Sequence, residues 1–488
     1  MKLQLAIQDW EQALDTSQRC IAIEHSCIDA ISFQLLYYLC KVGDHSECGR
    51  DQTILQNLSH LAEKGSTLAP NDQQYAVNMG RILLLQNRPK EATRHFQMTL
   101  EASDSSVTGL QGIIQCQLIQ GQLAEAGTQL EFLRELEPTI GKSVELSFLS
   151  AILARKQGAP TQQIVSLLDE AYELHSKRFQ NIQMSFEYFG ALNVDFIVQL
   201  VTEYLYQAPQ QPPSSSWLPT GTNRRQDDPI LMRCLKVLEP VISTAPGIQI
   251  AVYLQAYVHY LLGDSITALS SVKACLELDE TWVEGHILLA QIYLYQANLQ
   301  LAERALETGL SNNFEVRNHP LYHLVRARLL ICQGSAKVAV QILKQTIASI
   351  SNSDSNTGGG GRAALTKRPT LTGPSQEPSL FGGRTLSNSE RLTLYLELAE
   401  AHRSLSEWHE ATKVLQDAQL IFCGTSELGR VTIASAELVL AQGDHEAALT
   451  TLRSIRPENA YYVQARQHMA NIYLQHRKEK KLYAACYR

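Results

Sequence analysis

One interval recurs along the 488-residue chain and limits what it can fold into. Ala256 and Ala290, Ala268 and Ala302, and Leu276 and Leu310 each lie 34 residues apart. Gly80 with Ile114, Ala92 with Ala126, and Ala436 with Ala470 repeat that spacing. Ala290 to Ala327, Ala302 to Ala339, Ala399 to Ala436 and Ala411 to Ala448 are 37 apart, one frame with a longer turn. A period of this size is the mark of a helix–turn–helix repeat. One small residue sits where the two helices of a unit meet, and a second where the unit meets its neighbour. Gly263-Asp264, Gly121-Gln122 and Gly443-Asp444 fall where the first helix must stop, and glycine suits the left-handed cap. Leu, Tyr and Phe fill the intervening i, i+3, i+4 stripe. A single hairpin cannot bury both apolar faces, so stacked neighbours must do it. The expected fold is therefore all-α, a tetratricopeptide-repeat solenoid.

The frame is not continuous. It predicts an N-terminal repeat run over 1–175, a central run over 249–350 and a C-terminal run over 390–488. Between the first two, 176–248 keeps helical patterning but loses the period. Its Pro209-Gln210-Gln211-Pro212-Pro213 segment reads as an exposed loop. Over 351–389, Gly358-Gly359-Gly360-Gly361 and many Ser and Thr predict a disordered linker. Neither terminus shows the polar capping element that arrays carry, so the sequence reads as part of a longer chain, truncated in its last repeat.

The formal charge of −7 lacks the basic excess that phosphate recognition needs, so nucleic acid is not an expected partner. No stretch approaches the roughly 18 consecutive apolar residues of a membrane-crossing helix, so membrane insertion is not expected either. The first residues lack a signal-peptide pattern, which predicts a reducing, cytoplasmic location. In that setting the ten cysteines, none in a C-x-x-C pair, read as small buried hydrophobes.

No catalytic constellation emerges. His409-Glu410 and His445-Glu446 lack the second histidine of a zinc-protease helix, Lys413 and Leu449 standing in its place. His319 and His323 are four apart but straddle Pro320, which starts a helix. The Gly-rich run from Gly358 to Lys367 lacks the Gly-Lys-Ser/Thr ending of a phosphate loop. Arg384-Thr385-Leu386-Ser387 fits a basophilic kinase site. No metal, cofactor or small-molecule substrate is expected, and an enzyme would find no segment outside the repeats to house a catalytic core.

Protein partners remain. Clasping an acidic peptide terminus requires cations on the inner helix faces. The ninth repeat positions hold Tyr257, Gln291, Arg328, Glu400 and Glu437, and the fifth hold Tyr253, Ile287 and Leu324. Such faces suit helices or extended segments of other subunits. Tyr253, Tyr257 and Tyr260, at i, i+4 and i+7, form the candidate contact strip, with packing against the neighbouring repeat as the other reading.

Several blocks exceed what the generic repeat demands: Leu5-Ala6-Ile7-Gln8-Asp9-Trp10, the segment from Gly112 to Leu123, Gln129-Leu130-Glu131-Phe132-Leu133 and the segment from Val316 to Leu324. The segment from His409 to Ala418, Val431-Thr432-Ile433-Ala434 and the segment from Ile472 to Lys478 do so too. In these the chain resembles the tetratricopeptide repeat protein 21 family, the large repeat subunit of intraflagellar transport complex A. The resemblance implies retrograde ciliary transport, delivery of receptors into cilia, other complex subunits as partners, and a location in the cilium. It also implies a further helical stretch between Gly43-Asp44 and Cys48-Gly49-Arg50, whose absence predicts an unpartnered hairpin within 30–70. A cytosolic adaptor or co-chaperone is the alternative.

Overall fold

The computed structural model describes residues 10–42, 49–69, 72–86, 88–102, 107–212, 228–356, 388–425, 427–457, 459 and 461–486. Among these no strand occurs. The chain is an all-helical solenoid of tetratricopeptide-type helix pairs, in two compact units that divide between Asp279 and Glu280. That division falls inside the 249–350 stretch that the sequence presents as one run.

The first unit begins with α1 (Trp10–Ile23), α2 (Ile28–Val42) and α3 (Gly49–Leu68). Then come α4 (Gln73–Leu85), α5 (Pro89–Ala102), α6 (Val107–Ile119), α7 (Leu123–Ile140), α8 (Val144–Lys156) and α9 (Thr161–Phe179). A short α10 (Phe186–Leu192) precedes α11 (Val194–Gln207), α12 (Pro229–Thr244), α13 (Gln249–Leu262) and α14 (Ser265–Leu278). The hairpin expected to lack a partner has one. Ile31 and Leu35 of α2 are buried with Leu55, Leu58 and Ala62 of α3 in one cluster, and α3 packs in turn on α4. Residues 43–48 lie outside the described residues.

The block over 176–248 keeps to the stack despite losing the period. α11 packs on α12, and α12 on α13. Polar contacts fasten it: the buried His175 bonds through Nε2 to the Leu192 carbonyl at 2.9 Å, and Tyr204 donates its hydroxyl to Asp169 at 2.7 Å. Arg233 pairs with the same Asp169 at 3.0 Å. Of the proline-rich loop, residues 209–212 are described and non-helical.

The second unit holds α15 (Val283–Tyr295), α16 (Leu299–Asn312), α17 (Pro320–Cys332), α18 (Ala336–Asn356), α19 (Asn388–Ser404) and α20 (Trp408–Ile421). It continues with α21 (Leu428–Ala441), α22 (His445–Arg453), α23 (Tyr462–Ile472) and α24 (Lys480–Ala485). α18 extends to Asn356 and α19 starts at Asn388, so both helices enter the expected linker, whose remaining residues lie outside those described. The glycine-rich run and the kinase-type motif fall there as well.

Turn chemistry explains the helix ends. Gly121, Gly263 and Gly443 take φ of 77°, 80° and 93°, and Gly158 and Gly334 take 74° and 82°. The Asp after two of these caps the next helix: Asp264 accepts from the Thr267 amide and Asp444 from the Ala447 amide. Two turns reach the same conformation without glycine, Ala297 at φ 58° and Ser406 at 60°. A Cβ is strained there, so Ala297→Gly and Ser406→Gly should each stabilise the chain by about 0.5–1 kcal/mol. Urea unfolding with no gain would contradict that strain.

The repeat-defining positions Gly80, Ala92, Ala126, Ala256, Ala268, Ala290, Ala302, Ala327, Ala339, Ala399, Ala411, Ala436, Ala448 and Ala470 are all buried. Ala302 is wholly inaccessible. Ala302→Leu should overpack its junction and cost about 1–3 kcal/mol, and an unchanged unfolding curve would show that the junction lies elsewhere.

Candidate protein-binding surfaces

The tyrosines come together as one aromatic strip on α13. Tyr253 and Tyr257 stack with ring centroids 6.4 Å apart and planes 6° from parallel, and Tyr257 meets Tyr260 at 6.4 Å. Tyr260 itself is buried, as are Leu261 and Leu262 in the same last turn, because neighbouring helices cover that end. The accessible part of the strip is therefore Tyr253 and Tyr257, both half-buried.

Tyr253 apart, the fifth repeat positions are buried where the ninth are not. Ile287 and Leu324 are core residues at 2% exposure, so neither lines a face. The ninth positions remain partly accessible. Arg328 is spent on Glu397 at 2.6 Å, and Glu400 is bound by Arg403, whose Nε donates at 2.6 Å. No row of unpaired cations faces inward there. His319 proves to be a helix cap: its Nδ1 accepts from the Leu321 amide at 3.2 Å, with Pro320 in the first helical position.

Two concavities were not legible beforehand. In the first unit an open cleft runs across α4, α6, α8 and α11, lined by Arg81, Gln111, Glu145, Phe148, Asp195 and Phe196 among others. Burial pushes the Asp195 carboxyl up, opposed by the charge of Arg81 and by Gln199, which donates to it at 3.0 Å. Burial also acts to raise Glu145, but the hydrogen bond and charge of Arg178 outweigh it and hold that carboxyl below its ordinary value. In the second unit a smaller, open cavity lies between α21 and α23, with Leu452 of α22 lining it too. Glu437 and His468 stand at it, Nδ1 lying 3.3 Å from Oε1.

Among the described cysteines four depart from the buried reading, Cys20 and Cys27 being only partly covered. Cys332 and Cys423 are exposed, whereas Cys116, Cys234, Cys275 and Cys486 are buried. Among the described residues no group of three or more His, Cys, Asp or Glu is placed to hold a metal ion, and no helix is long and apolar enough to cross a membrane.

Two family descriptions cover most of the chain. The second ARM domain of tetratricopeptide repeat protein 21 matches residues 34–297, and its ARM repeat matches residues 314–488. Human tetratricopeptide repeat protein 21B is 38% identical over 521 aligned residues, covering all of this chain and 38% of the human protein. Mouse tetratricopeptide repeat protein 21A is 35% identical, covering all of this chain and 37% of its own length. The chain thus spans well under half the length of these relatives. The crystal structure of yeast Tom70 overlaps 92% of this chain and 98% of its own at 11% identity and a TM-score of 0.36, too loose a match to extend the reading. On the residues matched and the identity across its whole length, the chain belongs to the tetratricopeptide repeat protein 21 family.

Proposed function

We propose that this chain is a non-catalytic, protein-holding section of a subunit of intraflagellar transport complex A, acting in retrograde transport and in bringing receptors into cilia. The observation that carries the reading is family membership across all of this chain, joined to a repeat fold of stacked helix pairs. Its partners are then other protein subunits of that complex. Tyr253 and Tyr257 are the contact residues proposed for the first unit, because stacked, half-buried rings offer large rigid area at little entropic cost.

The alternative, a cytosolic adaptor or co-chaperone, is disfavoured by the ninth positions. Gln291, Arg328, Glu400 and Glu437 do not make a cationic ladder, and the one arginine already has a carboxylate partner. Imaging of the tagged chain in ciliated cells tests the reading. Enrichment at the basal body and along the axoneme is expected, and an even cytosolic distribution would overturn it.

A further inference from the structure

We propose that the cavity between α21 and α23 is a socket for a lysine or arginine side chain on a partner protein, an inference that rests on the protein-holding reading above. Its floor is apolar. Ile433, Leu452 and Ile472 are each 3–4% exposed, and Leu440 borders them. The aliphatic stem of a long basic side chain suits such a floor, leaving its charged head at the rim. The rim carries Glu437, whose side chain is 46% accessible and so can be reached from solvent.

The charges around Glu437 leave a place for one more cation. From α19 it faces Glu400 and Arg403, but Arg403 is bonded to Glu400. From α23 it meets His468, whose imidazole burial pushes down to about 4, so that at neutral pH this neighbour is uncharged. Partial desolvation in the concavity, and then the charge of Glu400, push the Glu437 carboxyl up to about 7. A docked ammonium or guanidinium adds to the charge of Arg403, which already opposes the rise, favours the carboxylate and releases its proton on binding. A glutamate or an apolar side chain at the rim does neither.

Fluorescence anisotropy with the full chain decides the matter. The probes are short amphipathic peptides of one leucine pattern, bearing lysine, glutamine or glutamate between the leucines. The lysine peptide should bind at least about tenfold more tightly than the other two. Its affinity should be roughly tenfold higher near pH 8 than near pH 6, following the ionised fraction of a carboxyl that titrates at about 7. Glu437→Gln, which keeps the shape of the protonated carboxyl, should abolish both the preference and the pH dependence while leaving thermal unfolding unchanged. Equal binding of the lysine and glutamine peptides, no binding of any peptide, or a preference that survives Glu437→Gln would overturn the socket. Recovery of transport-complex subunits by the same variant would then leave the scaffold reading intact.

Discussion

Replacing Phe96 by alanine should cost about 3–5 kcal/mol, the upper range for removing one core side chain. Phe96 projects from α5 and is 2% exposed. Its ring fills a slot cut by two glycines. A Cβ on Gly80 of α4 would lie 2.5 Å from its Cζ, and one on Gly112 of α6 would lie 2.4 Å from its Cδ1. The ring therefore joins three consecutive helices, and neither glycine has a side chain that can move into the space it leaves. The same geometry predicts a reversal of sign. In the wild-type chain Gly112→Ala drives a methyl into the ring and should cost about 1–3 kcal/mol. In the Phe96→Ala background that methyl fills part of the cavity, so the substitution should stabilise. Urea unfolding gives the net change, and amide exchange across α4, α5 and α6 localises it. Additive effects of the two substitutions would contradict the slot.

Glu203→Ala should be nearly as damaging, at about 3–5 kcal/mol. Arg155 of α8 donates through Nε to Glu203 of α11 at 2.8 Å. The glutamate is fully inaccessible and the arginine 12% accessible, with its guanidinium 4.6 Å from the centre of the Tyr206 ring. Removing the carboxylate strands a covered cation, whereas Glu203→Gln keeps an acceptor and should cost only about 1–3 kcal/mol. Exchanging both Arg155 and Glu203 for leucine should restore most of the loss, because neither charge is then left without its partner. If Glu203→Ala unfolds at the wild-type urea concentration, α11 is not held to α8 by this pair.

These effects mark the limit of what the primary structure reveals. The repeat frame was readable because close helix approach admits only small residues at fixed intervals, as the complete burial of Ala268, Ala302 and Ala339 illustrates. The left-handed glycines at 121, 263 and 443 were readable for a similar reason: few residues tolerate that conformation. The stack through 176–248 was not. Its fastenings join Arg155 to Glu203 and Tyr204 to Asp169, and no local pattern reveals pairs so far apart in the chain. The Phe96 slot did leave a trace, since glycine inside an otherwise helical pattern disfavours the helix and calls for a packing reason. Gly65 against Tyr75 is a second instance, a Cβ there falling 2.2 Å from Cε1.

The surfaces divide along the same line. The i, i+4, i+7 spacing placed the three tyrosines on one strip, but burial at the end of α13 withdraws Tyr260 from it. Glu437 was visible as a ninth-position residue. That His468 would meet it across an apolar floor was not, because the two stand on different helices.

If this chain holds other subunits of a ciliary transport complex, as we propose, they should be captured with it. Affinity capture of the tagged chain from ciliated cells, with bound proteins identified by mass spectrometry, is the test. Recovery of other transport-complex subunits, reduced in a Tyr253→Ala, Tyr257→Ala variant that unfolds like the wild type, is the predicted result. Recovery of chaperones alone, or of nothing beyond background, would contradict it.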